Sequence, residues 1–395
     1  MFKINNIVLE RKEILRPRAD VEWASEMVLN PAVIKDPDTG VIHMLVRVSG
    51  PCDNKRMEGK PSPFPIFLAY AWSCDGGENF EVDFSRPALA PNAEYELDKL
   101  YIENGRGEKT PNFTNGSIED PRLFFVEGEC YCTAACRMFP PGPYWIKDDP
   151  VQCMPEWAKG AENPFNTQKN PTVTVLYHVD LKELAAKNYE KAFKYITNLT
   201  DAKYGEDRDV FLFPEKMRID GKDMYVMLHR PYKPCAYEGL DESRPSIVIA
   251  AAEDFYSFAD NAYKRRVLYA PEKSWQHEKV GGSTPPVSLG GGEWLFNYHG
   301  KEDDIDGYAQ SFMILKDREN DFPVITHLCD EKWIVNEAEF ENPVRFKIPC
   351  IFFTGLIKNG DNLLVSYGAA DERAGVMTLD FEKLVRELRK YPKSG

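Results

Sequence analysis

Five times along this 395-residue chain, a strand-like run, a tight turn and a second run ending in a polar or charged residue follow one another. The stretches are NPAVIKDPDTGVIHMLVRVSG (30–50), EDPRLFFVEGECYCTAACRM (119–138), DVFLFPEKMRIDGKDMYVMLHRP (209–231), STPPVSLGGGEWLFNYHG (283–300) and VRFKIPCIFFTGLIKNGDNLLVSYGAAD (344–371). Their turns, PDTG, EGE, IDGK, GGGE and KNGD, carry the residues that short hairpin loops demand. The spacing, roughly 70–90 residues, exceeds that of the standard propeller repeats, and long insertions account for the excess. Hairpins repeated around a circle leave only short, protected sheet edges. The sequence therefore predicts an all-β fold, one five-bladed β-propeller spanning residues 1–395, with an N-terminal arm over about 1–28. Two peripheral helices are expected, DLKELAAKNYEKAFKYI (180–196) and DFEKLVRELRKY (about 380–391). Each has helix-period apolar residues behind an Asp N-cap.

Composition narrows the partners. Hydrophobic residues make up 43% of the chain, enough for a large core, and the net charge is −14. So acidic a chain is a poor ligand for polyanions, which argues against nucleic acid and anionic membrane. The N-terminus has no apolar run with a small-residue cleavage site, and no 18-residue window is uncharged and apolar, so a cytoplasmic protein is expected. The nine cysteines are scattered, without CxxC pairs or interleaved His. They read as reduced thiols, and no metal site is expected.

The second runs end in Arg47, Arg137, Arg230, His299 and Asp371. Corresponding strand ends meet near the axis of a propeller, so these five side chains are expected to form one polar pocket. The segment 139–170 is rich in Pro and polar residues and contains Trp145 and Trp157. Those two and Trp275 suit stacking on a sugar face, and suit ordinary packing slightly better.

Asp120 stands out among the acids. It lies in GSIEDPR, ahead of Pro121, which is expected to hold it extended and out of a helix. A carboxyl beside another carboxylate, in a partly desolvated pocket, has its pKa raised as a general acid needs. On position alone, an Asp that caps turn amides is the stronger reading. Cations gather at repeat-equivalent positions: Arg208 in EDRDV, Arg230 in LHRPY, Lys279 in HEKVGG and His299 in NYHG. Singly each reads as a surface charge or strand-end ion pair. Together they fit a cradle for an oxyanion.

The segments NPA (30–32), GSIEDPR (116–122), DVFLFPEK (209–216), HRP (229–231), GGSTPP (281–286), YHG (298–300) and YGAAD (367–371) resemble glycoside hydrolase family 130, in order, over about residues 30–380. That family contains β-mannoside phosphorylases and some β-mannosidases. The resemblance implies a five-bladed propeller and an inverting mechanism, with Asp120 as the catalytic acid, passing its proton through the 3-hydroxyl of mannose. It implies phosphate ligands at Arg208, Arg230, Lys279 and His299, and mannose contacts at Asp209, Asp371 and Arg47. Gly-Ser-Ile before Glu119, and Asp209 where Asn is common, depart from the family pattern and bear on the acceptor sugar and linkage.

The expected activity is phosphorolysis of a β-mannoside, a manno-oligosaccharide or a mannosyl-glucose or mannosyl-N-acetylglucosamine, to α-mannose 1-phosphate. Phosphate is then a co-substrate and no cofactor is needed. An inverting β-mannosidase using water is the second reading, and a non-catalytic glycan-binding propeller the third. The hydrolase needs a base carboxylate on the phosphate side. The binding module has no use for both an acid and an anion cradle. A homo-oligomer is compatible with the sequence, which does not define the oligomeric state.

Overall fold

The computed structural model describes residues 6–51, 66–92, 97–139, 170–342 and 348–393. The insertions 51–65 and 139–170, with Trp145 and Trp157, lie almost wholly outside the described residues.

Five antiparallel sheets make the five blades of the expected propeller. Their innermost strands are Met27–Lys35, Ser117–Val126, Asp207–Leu212, Lys279–Gly282 and Ile351–Asn359. The second strands are Ile42–Ser49, Glu129–Arg137, Lys222–Pro231, Glu293–Lys301 and Asn362–Ala369. Each predicted hairpin is thus the inner pair of a blade, joined at the turn that was read from it.

Each sheet packs both faces against neighbours, so strands that would alternate in a half-exposed sheet are apolar throughout. Ile247–Ala252 reads IVIAAA and is wholly buried. The core is accordingly a set of layers between blades. Phe211, Met227 and Phe296 belong to one layer, Leu45, Ile118 and Tyr177 to the next, and Phe312, Phe353 and Val365 to another.

Hydrogen bonds stitch successive blades at the inner strands. Thr133 Oγ1 donates to the carbonyl of Val210, Gln310 Nε2 to that of Ile351 at 2.7 Å, and Thr354 Oγ1 to that of Pro31 at 2.7 Å. The ring closes by exchange of the chain ends. Val8–Leu15, within the stretch expected as an arm, pairs with Arg373–Asp380 as the outermost strand of the fifth blade.

The C-terminal helix forms over Phe381–Leu388, capped by Asp380, whose Oδ1 accepts from the amide of Lys383 at 2.9 Å. The expected helix over 180–196 is corrected. It is two short helices, Leu181–Ala185 and Tyr189–Ala192, followed by the strand Phe193–Asn198. The Asp180 cap forms as expected, but FKYITN is aromatic and β-branched and pairs with Val173–Val179. Sheet pairing overrides the helical spacing of its apolar residues.

Candidate active site

Three inner strands carry the same irregularity. The pairing slips between Leu29 and Ala32, between Glu119 and Arg122, and between Arg208 and Phe211. Each slip contains one residue in the left-handed region: Asn30 (φ 47°), Asp120 (φ 48°) and Asp209 (φ 55°). Asn and Asp tolerate this conformation better than other L-residues. Such a bulge re-aims one side chain out of the strand alternation. The extended conformation expected for Asp120 is therefore corrected. Pro121 keeps its predecessor out of the right-handed helical region, but the left-handed region stays open to it.

The bulge carries Asp120 into a nest of donors. Its Oδ1 accepts from Asn30 Nδ2 and from Arg47 Nη1, both at 2.7 Å, and its Oδ2 from Arg208 Nη1 at 3.2 Å. Glu119, next door, is almost fully buried. Its Oε2 takes the same Arg208 nitrogen at 3.2 Å, and its Oε1 accepts from Arg137 Nε at 3.2 Å and Ser117 Oγ at 3.0 Å. Burial works to raise the pKa of Asp120, but Arg47, Arg208 and the Asn30 amide outweigh it and hold the carboxyl well below its usual range. The raised pKa expected from the sequence is thus corrected. Glu119 was the reason to expect it, and Glu119 is itself held down, against burial, by the guanidinium groups of Arg208, Arg47 and Arg137.

A second cluster lies beside the first. Asp209 Oδ2 accepts from Arg230 Nε at 2.5 Å, its Oδ1 accepts from Arg122 Nη2 at 3.3 Å, and His299 Nε2 stands 3.6 Å from Oδ2. Opposing burial, these groups hold Asp209 down at about 2. Gly281 lets them approach: a Cβ there would sit 2.6–2.7 Å from the His299 ring and the Asp209 carboxylate. Burial, with Arg230 and Lys279 nearby, pushes His299 down to about 3 despite Asp209, so its ring is neutral.

The wall that solvent reaches is made by other members. The side chains of Asp120, Arg208 and Lys279 are 13%, 20% and 17% exposed, and Glu206 is 39% exposed. The Lys279 ammonium lies 4.9 Å above the Tyr308 ring, and burial beside Arg230 lowers its pKa to about 8. Asp371, in the left-handed region at φ 54°, accepts from Cys350 Sγ at 3.4 Å. Burial raises its pKa, against Arg47 and the thiol bond.

The eight residues given site roles from the sequence lie together, on or beside the inner and second strands. Arg47 binds the acid directly, and Asp209 faces Arg122, Arg230 and His299. Trp275 is a packing residue: it is buried, its indole N–H bonds the carbonyl of Asp330 at 2.8 Å, and its ring lies tilted over Tyr298. Sequence reasoning passed over Asn30, Glu206, Ser283 and Gln310. For Asn30 a signal existed, since NPA, DPR and DVF occupy equivalent places in three hairpins.

Glu206 is a carboxylate among the cations. Its Oε1 lies 3.2 Å from Arg137 Nη2 and 4.0 Å from Arg208 Nη2. Against burial, Arg208, Arg137, Arg230 and Lys279 hold it at about 2. Among the described residues, no group of three or more His, Cys, Asp and Glu side chains is arranged to hold a metal ion.

A propeller whose axis gathers acids and guanidinium groups in this way has counterparts among known proteins. Residues 165–390 match the family model of glycoside hydrolase family 130, described as beta-1,4-mannooligosaccharide phosphorylase. The chain belongs to that family. It is similar to two beta-1,2-mannobiose phosphorylases. With that of Listeria innocua serovar 6a it is 26% identical over 76% of this chain and 80% of the relative. With that of a Thermoanaerobacter species it is 26% identical over 97% and 99%.

Among solved structures, the Listeria innocua beta-1,2-mannobiose phosphorylase in complex with beta-1,2-mannobiose superimposes with a TM-score of 0.60, at 18% identity over 92% of each chain. Another, from work on family members that are hydrolases targeting beta-1,2 mannosidic linkages in Candida mannan, gives 0.59, at 15% identity over 94% and 92%. Both likenesses are of fold.

Proposed function

We propose that this protein is an inverting β-mannoside phosphorylase: inorganic phosphate cleaves the mannoside and α-mannose 1-phosphate is released. The observation that carries the reading is that Arg208 donates to Asp120 at 3.2 Å and sits opposite Arg230 in the strand pairing, so one guanidinium can serve both the acid and the anion. Arg208, Arg230 and Lys279 draw the dianion to one side of the mannose ring, with His299 behind them. Asp120, with Arg47, serves the glycosidic oxygen on the other. Asp209 and Asp371 accept hydrogen bonds from mannose hydroxyls or hold the groups that do.

An ionised Asp120 cannot donate a proton, and phosphate supplies the remedy. A dianion on Arg208 offsets the charge that keeps Asp120 ionised, so its pKa rises as the site fills. The acid is then armed when the nucleophile is present. General acid assistance of this kind is worth about 10²–10⁴-fold.

Hydrolysis is the rival, and Glu206 is a half-buried carboxylate beside Arg137 and Arg208. Its pKa of about 2 makes it a weak base, and it is tied to Arg137. Acceptor and linkage follow the relatives' beta-1,2-mannobiose as the first substrate to assay. The test is cleavage of a panel of β-mannosides with and without phosphate, following mannose 1-phosphate. Phosphate-dependent release of the sugar phosphate is expected. Full-rate release of free mannose in phosphate-free buffer overturns the reading in favour of hydrolysis.

A further inference from the structure

His299 is held by a chain of hydrogen bonds whose direction can be read. Gln310 Nε2 donates to the carbonyl of Ile351 at 2.7 Å, which turns its amide oxygen towards Ser283. Ser283 Oγ donates its single hydrogen to that oxygen at 2.8 Å. Ser283 Oγ also lies 3.0 Å from His299 Nδ1, and with its hydrogen spent it can only accept there. The proton of the neutral ring therefore sits on Nδ1, and Nε2 is a bare acceptor. All three side chains are fully buried. Nε2 has no hydrogen-bond partner among the described residues. The polar atom across from it is Asp209 Oδ2 at 3.6 Å, another acceptor.

Two acceptors facing each other in a buried place call for a donor between them. Three cations, Arg230, Lys279 and Arg122, surround the pair and outnumber the Asp209 carboxylate, which favours an anion there. Hydrogen phosphate is an anion that brings its own O–H, whereas sulfate at neutral pH has none. A ligand that leaves a buried acceptor unpaired is disfavoured, as in other sites built around a hydroxyl.

We propose that Ser283 and Gln310 are positioning residues that lock His299 as an acceptor, so that the anion site takes hydrogen phosphate by its P–OH and rejects sulfate. The proposal rests on the phosphate-site reading above and adds to it the proton that the anion must carry.

Calorimetric titration of the intact protein with inorganic phosphate and with sulfate, at matched ionic strength, tests it. Wild type is expected to prefer phosphate by roughly 10- to 100-fold. Ser283→Ala frees the ring to protonate Nε2 and donate to Asp209, so the preference is expected to fall about tenfold or more, chiefly through tighter sulfate binding. A merely structural role for Ser283 weakens both anions alike and leaves the ratio unchanged, which overturns the proposal.

A measurement on wild type is independent of whether the variant folds. Ring ¹⁵N shifts of the six histidines are expected to show His299 with Nδ1 protonated and Nε2 bare. A protonated Nε2 in the free protein overturns the inference. Equal binding of both anions also sinks it and leaves the phosphate site standing. Binding of neither anion overturns the phosphate site itself.

Discussion

Arg208 Nη1 lies 3.2 Å from Asp120 Oδ2, and with Arg47 it holds the Asp120 carboxyl ionised. Arg208→Ala is therefore expected to act twice. It weakens phosphate binding about 10- to 150-fold, the worth of a charge-assisted bond. It also moves the alkaline limb of the pH–rate profile upward, because Asp120, which acts when protonated, loses one of the charges that lower its pKa. Kinetics over a pH series would check both, and an unmoved alkaline limb would separate the two residues.

Asp120→Asn keeps the size of the side chain and removes the transferable proton. Turnover is expected to fall by ~10²–10⁴-fold while phosphate still binds. Single-turnover rates and calorimetry would check this. A variant retaining more than half of wild-type activity refutes the role.

Arg230 bonds Asp209 and not Asp120. Arg230→Ala is accordingly expected to raise KM for phosphate far more than KM for the mannoside. The lost bond is worth about 1.5–3 kcal/mol, with a further cost from leaving Asp209 short of a partner. Equal effects on the two constants would count against its place in the cradle.

Lys279 carries the pH prediction. Burial and Arg230 lower its pKa from the ordinary 10.5 to about 8. Below pH 8 it is charged and attracts the anion; as pH rises through 8 it discharges, so KM for phosphate is expected to climb. For stability the sign is opposite. A depressed lysine pKa costs stability while the buried group is charged, and that cost is relieved between about pH 8 and 10.5. Lys279→Arg, which does not titrate in this range, should flatten the rise in KM. A rise that persists unchanged assigns it to another group.

Closure of the ring by Val8–Leu15 predicts one cooperative unit. Removing residues 1–15 strips the outer strand from the fifth blade and exposes its neighbour Arg373–Asp380. A single thermal transition is expected for the full chain, and a markedly lower Tm for the truncated one. Two separate transitions in the full chain contradict a single unit.

Much of this was legible in the sequence because it is local. Turn chemistry and apolar runs mark a hairpin within some twenty residues, and five hairpins in one chain define the propeller. Arg47, Arg230, His299 and Asp371 were also visible, since they end equivalent runs, and Asp120, Arg208 and Lys279 stand at or just before the start of such runs. Tertiary structure decided what depends on neighbours distant in the chain. Phe193–Asn198 became a strand because Val173–Val179 offered an edge. Asp120 became a well-ionised carboxylate because Arg47 and Arg208, 73 and 88 residues away in sequence, converge on it. The bulges at Asn30, Asp120 and Asp209 appear only in the strand pairing, and the Gln310–Ser283–His299 chain takes its direction from the carbonyl of Ile351 in the next blade. A hydrogen bond's direction and a pKa are set by everything within a few ångströms, and a linear sequence does not state what those neighbours are.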